Sequence, residues 1–319
     1  GDFDYVNISY SGYGGYGNGN YVGIENDGGN IDIKNSKIHN NYKIINNGGG
    51  LMSVGSGILN KRGTLSVSDS IIDNNVNGIR IDSGTATISN NTIKNNDDGT
   101  GYSKGYGVYA SGSEPLALTN NSFSNNGKTA YIDASKTFTH SGNTSEDKTN
   151  RGFEMNGIIT NSTTLSGNDL PFIIGSLTIN GTLTVEPGII LKMNDYYSSG
   201  NIVVNGNLIA KGTKDKKIYI TSLKDYSGGG DTNGDGTNGV PTPKNWASIF
   251  LENGSRAEFD NVIISYGGYN WNGEYLNIAS AIYNRGADLL ISNSLFEKNS
   301  TTNIYQDAGT TTITKSELT

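Results

Sequence analysis

The chain has 319 residues, 23 basic and 30 acidic, with a net charge of −7 and no cysteine. The acidic balance and the lack of a Lys/Arg-rich run argue against a nucleic-acid partner, because phosphate neutralisation needs a basic patch. The missing cysteines exclude disulfides, thiolate metal sites and cysteine nucleophiles. No apolar run reaches membrane-spanning length, so no membrane insertion by this segment is expected.

Hydrophobic residues make up only 34 % and charged residues 17 %, with 45 Gly and abundant Ile, Val and Thr. That mixture predicts many short strands joined by polar turns. In chain order, "YSGYGGYGNGNY" (Tyr10–Tyr21) is an uncharged Tyr/Gly loop, and a strand "VGIEN" follows from Val22. Then come paired segments. The first members are "SGILN" (Ser56), "NGIRI" (Asn77), "YGVYA" (Tyr106) and "SAIYN" (Ser280). The second members are "NIDIKNSKIHNN" (Asn30), "TLSVSDSIIDNN" (Thr64), "TATISNNTIKNN" (Thr85), "PLALTNNSFSNN" (Pro115) and "DLLISNSLFEKN" (Asp288). Equivalent apolar residues Ile58 and Ile79 are 21 residues apart, while Ile24 to Ile58 is 34 and Ile79 to Val108 is 29. The extra residues always fall outside the strands. A unit this short cannot bury an apolar face alone, so coils must stack, each strand pairing with its copies at about 4.8 Å. The expected fold is all-β, a right-handed parallel β-helix solenoid. The repeated turn residues Asn35, Asp69, Asn90, Asn120 and Asn293 are expected to stack as an amide ladder and to tolerate left-handed geometry.

A longer repeat overlies the coils. "FDYVNISYSGYGGYG" from Phe3 returns as "FDNVIISYGGYNWNG" from Phe259, an offset of 256, and the following Asn35 and Asn293 are offset by 258. The expected organisation is 1–150 as β-helix coils forming the later part of a first module, 151–176 as connecting coils, and 177–319 as a second module with a loop insertion at 224–245. The second module opens with "LTINGTLTVEPGIILKM" (Leu177), adds "DTNGDG" (Asp231), and runs through "NWASIFLENGSRAEFDNVIISYGG" (Asn245). Carried on these motifs, the chain resembles right-handed parallel β-helix proteins of bacterial cell surfaces, which share the pectate-lyase-like fold. It is also similar in type to the tapirins, carbohydrate adhesins that hold cellulose. The resemblance implies an extracellular, cell-surface location.

Three kinds of candidate site follow. Asp231, Asn233 and Asp235 stand at positions 1, 3 and 5 of a loop with Gly236 at 6, the opening of an EF-hand-like Ca²⁺ loop. Thr242 stands where the bidentate Glu would be, so a backbone carbonyl and a remote carboxylate such as Asp225 would have to complete the shell of a structural Ca²⁺. The alternative is an Asp/Asn/Gly surface turn that needs no metal. A glycosidase or lyase would need carboxylates about 5 to 9 Å apart. Asp69, Asp73, Asp82 and Arg80 form one grouping, and Glu25, Asp27 and Asp32 another. His39 and His140 lie in turn segments. Finally, Tyr13, Tyr16, Tyr21, Tyr269, Trp271 and Tyr275 populate the two copies of the aromatic loop, where rings could lie against the C–H faces of sugars; Tyr10 and Tyr266 hold the strand ends and are expected to pack. The expected function is a non-catalytic adhesion segment with no catalytic residues, binding a polysaccharide surface such as cellulose. A polysaccharide lyase or glycoside hydrolase, and a purely structural stalk, are the alternatives.

Overall fold

The computed structural model describes residues 1–11, 21–46, 51–99, 105–195, 200–269 and 279–319. The chain divides into two compact units, Gly1–Phe153 and Glu154–Thr319.

In the first unit three strands per coil stack in parallel register. The first column joins Ile24, Ile58, Ile79, Val108 and Ala130. The second joins Phe3, Ile33, Val67, Ile88, Leu118 and His140. The third joins Ile8, Ile38, Ile72, Ile93, Phe123 and Ser145. The inner residues of the middle coils are wholly buried: Ile58, Val67, Ile72, Ile79, Ile88 and Ile93 are each 0 % exposed. Alternate residues point outward, as a pleated strand requires.

Between the first and second columns the chain bends at glycine. Gly84 has φ of 84°. A Cβ there would sit 2.3 Å from the carbonyl of Gly63 in the coil below. Positive φ and close backbone approach both demand glycine. An antiparallel hairpin, Lys43–Asn46 with Leu51–Val54, lies in the longest gap between coils of this unit. Insertions thus leave the register intact.

The two remaining corners are left-handed. Asn35, Asp69, Asn90 and Asn120 form one corner column, with φ of 48°, 50°, 57° and 53°; Asn40, Asn74, Asn95 and Asn125 form the other, with 55°, 60°, 54° and 56°. The expected left-handed geometry is therefore present, but the buried ladder is carried by the next residue. Asn91 Nδ2 donates to Asn121 Oδ1 at 3.0 Å, and Asn121 Nδ2 to Asn143 Oδ1 at 3.0 Å. At the other corner Asn75, Asn96 and Asn126 repeat the contact, and Asn126 donates both its backbone N–H and its Nδ2 to Asp147 Oδ1 at 2.8 Å. The left-handed residue turns its own side chain to solvent and its successor inward. Each buried amide also satisfies the backbone N–H of the coil before it, such as Asn75 N–H to Asn96 Oδ1 at 3.0 Å.

The second unit has the same three-column plan. Leu177, Ile202, Ile249, Ile282 and Ile304 align in one column. Leu165, Val185, Ala210, Phe259 and Ile291 align in the next. Phe172, Leu191, Ile220, Ile264 and Phe296 align in the third. The long sequence repeat reappears as matched chemistry. Tyr10 and Tyr266 are both left-handed, at 52° and 64°. The next backbone N–H donates to Asn41 Oδ1 from Ser11 and to Asn299 Oδ1 from Gly267, at 3.1 and 2.9 Å.

Candidate binding surfaces

One surface feature of the first unit joins side chains that sequence patterning did not bring together. Arg80, Tyr109 and Tyr131 occupy the same outward position on three successive coils. The Tyr109 and Tyr131 rings stack with centroids 4.7 Å apart and planes 12° apart. Tyr106, three residues back at the start of the same strand, stands edge-on to both, at 5.6 and 6.1 Å. Cations flank the group. The Arg80 guanidinium lies 5.9 Å from the Tyr109 centroid and its Nε donates to Asp82 at 2.7 Å. The Lys128 ammonium lies 5.1 Å from the Tyr106 centroid and donates to its hydroxyl at 3.1 Å. All three tyrosines are half-buried. Such pairs of rings and cations each contribute about 0.5–1.5 kcal/mol.

The second unit carries a similar column. Phe250, Tyr283 and Tyr305 align outward on consecutive coils. Arg285 lies 5.0 Å from the Phe250 centroid and 4.9 Å from that of Tyr283, and bonds Glu252 at 2.8 Å. The signal for both columns was available: aromatic residues at outward positions of coils already aligned by the apolar spacing.

Of the loop aromatics, Tyr13, Tyr16, Trp271 and Tyr275 lie outside the described residues. Tyr21 is half-buried and accepts from Lys43 Nζ at 3.1 Å. Tyr269 is 37 % exposed. The two strand-end tyrosines differ. Tyr266 packs as expected, at 8 % exposure beneath the long Lys298 side chain, whereas Tyr10 is 80 % exposed. The residue following Tyr10 in its corner column is Asn40, which reaches only the hydroxyl, at 3.3 Å, and is too short to cover the ring.

The acids of the first grouping fall at different places on the coil. Asp69 sits at a left-handed corner, Asp73 on the third column and Asp82 beyond the first. Glu25, Asp27 and Asp32 pair with Lys61, Arg62 and Lys34. Such exposed pairs contribute little. His39 is outward, in the position Asp73 and Lys94 hold in later coils. Its ring bonds Asn7 Oδ1 at 2.8 Å and Asn40 Nδ2 at 2.9 Å; the amide oxygen must accept and the amide nitrogen donate, which places the proton on Nε2. His140 turns inward and stacks on Phe138 at 5.0 Å.

In the acidic loop, Asp231 Oδ2 accepts from the Gly236 N–H at 3.1 Å and Asp235 Oδ2 from Asn233 Nδ2 at 2.8 Å. Asp225 is tied elsewhere: Oδ1 accepts from Ser227 Oγ at 2.6 Å and Oδ2 from Thr221 Oγ1 at 2.6 Å. Burial pushes the Asp225 carboxyl up, but the Ser227 and Thr221 hydrogen bonds and the Lys192 ammonium outweigh it and hold it below its ordinary value. Lys192 donates to the Asp225 carbonyl. Burial pulls its ammonium down to about 8, against the opposing charges of Asp225 and Asp231. Among the described residues, no three His, Cys, Asp or Glu side chains converge as a metal group.

No curated protein and no solved structure matches the chain. Residues 3–145 match the family model described as the right-handed β-helix region. Joined to the parallel register of the coils, that similarity defines the chain as an all-β, right-handed parallel β-helix.

Proposed function

We propose that this chain is a non-catalytic, extracellular binding segment of a surface protein, and that its ligand is a polysaccharide. The observation that supports this reading is the Tyr106–Tyr109–Tyr131 group on the outer wall of the first unit. Rings present apolar edges, their hydroxyls donate and accept, and a sheet-borne position keeps the group rigid, so little entropy is lost on binding. The dispersed, ion-paired acids favour binding over turnover.

Retention on insoluble cellulose, chitin and pectin tests the reading. The wild-type chain is expected to be held by at least one of them, and Tyr109→Ala with Tyr131→Ala to lower affinity at least tenfold, which is about 1.4 kcal/mol. Release of reducing or unsaturated ends from the polysaccharide would replace binding with catalysis. Unchanged retention in the double variant would remove the tyrosine group from the function.

A further inference from the structure

On strand Ile190–Met193 the inward residues are Leu191 and Met193, so Ile190 and Lys192 lie on the outer face. Yet Lys192 is 0 % exposed, and its outer-face neighbours Ile173 and Thr221 are 0 % and 1 % exposed. What covers Lys192 and Thr221 is the chain that follows strand Ile218–Ser222. Gly229 approaches so closely that a Cβ there would meet Ile190 at 2.8 Å and the Lys192 Cε at 3.5 Å. The Asp225 carbonyl caps the ammonium. Thr221 Oγ1 bridges Asp225 Oδ2 at 2.6 Å and Ser265 Oγ at 2.9 Å. At the far end of the insertion, Trp246 is 0 % exposed and donates Nε1–H to the Ser265 carbonyl at 2.8 Å. A second small core therefore lies outside the coil, and a lysine is buried in it.

We propose that Lys192 is the cation of this acidic loop: its tethered ammonium does the ordering that a bound divalent ion would do for Asp225 and Asp231. The chemistry fits. An ammonium offers three donors on a compact charge. Lys192 faces a backbone carbonyl and the fields of two carboxylates, both on the covering loop. A divalent ion at the same place would meet a positive charge already seated there, and repulsion would disfavour it. The glycine at 229 is needed because the loop backbone must pass directly over the lysine stem. A charged residue between Ile173 and Thr221 in the outer column then has a reason: it fixes where the insertion lands.

Hydrogen exchange resolved to single amides tests this on the whole chain. The reporters are the N–H of Ser227, which bonds Asp225 Oδ1 at 3.1 Å, and that of Gly236, which bonds Asp231 Oδ2 at 3.1 Å. In wild type, exchange at both is expected to be the same in EDTA and in millimolar CaCl₂. In Lys192→Met both are expected to exchange at least tenfold faster, while the amides of strand Asn201–Val204 are unchanged. Slower wild-type exchange in CaCl₂ would overturn the proposal, and that arm needs no variant to fold. Unchanged exchange in Lys192→Met would overturn it as well.

Discussion

Replacing Asp147 with asparagine should stabilise the first unit at neutral pH. Asp147 ends the second amide ladder and is 0 % exposed. Oδ1 accepts two bonds from Asn126 at 2.8 Å, and Oδ2 accepts from Thr129 Oγ1 at 2.8 Å and Ser145 Oγ at 3.2 Å. Burial pushes its carboxyl up, and the hydrogen bonds from Thr129, Asn126 and Ser145 only partly oppose that. Proton counting sets the sign. Above the unfolded value, near 3.9, the unfolded chain has lost its proton while the folded chain still holds one. Folded stability from this group is therefore complete below that value and declines as pH rises through the higher folded value. Each tenfold difference in proton affinity is worth about 1.4 kcal/mol. Asp147→Asn keeps the acceptor for Asn126, and the Thr129 and Ser145 hydroxyls can rotate to accept from the new amide. It should raise stability at pH 7 and leave it unchanged near pH 3. Asp147→Ala leaves the Asn126 donors unsatisfied and should lower stability by about 2–4 kcal/mol at both, from about 1–3 kcal/mol per buried group. Urea unfolding at pH 3 and pH 7 reads all three proteins. If Asp147→Asn is less stable than wild type at pH 7 but not at pH 3, the carboxylate is ionised and favourable, and burial does not govern its proton.

Asn96→Ala removes a rung inside the same ladder: it takes away the acceptor for Asn75 N–H and Nδ2 and the donor to Asn126. It should cost about 2–4 kcal/mol in urea unfolding, whereas Asn95→Ala at the adjacent corner should cost about 1–2 kcal/mol for left-handed geometry. Equal losses would mean that the inward amide stabilises the corner no more than its left-handed neighbour does. Gly84→Ala should destabilise by more than about 1 kcal/mol, since φ of 84° and the 2.3 Å approach to Gly63 O both oppose a Cβ; a neutral effect on the melting midpoint would contradict the bend geometry.

Local preference and spacing made the coil legible. Ile24, Ile58, Ile79 and Val108 could be aligned because a strand's inward residue must be apolar whatever stacks on it. The left-handed turns at Asn90 and Asn120 were legible because only a few residue types adopt those angles. The repeat offset from Tyr10 to Tyr266 likewise returned as matched corner geometry. What the string of residues did not decide was direction. In an Asn-Asn pair either side chain can face inward, and the alternation restarts after a left-handed residue, so only the folded corner made Asn91 and Asn96 the ladder. The aromatic columns need the stacking register, which sets Tyr131 on Tyr109 across 22 residues of chain. Lys192 reads as an outward, solvated residue on its own strand, and only the later insertion folding back across it buries its charge. Coil period and turn chemistry are properties of a few consecutive residues; facing, stacking and burial belong to pairs that are distant in sequence, and those were decided only when the coils closed.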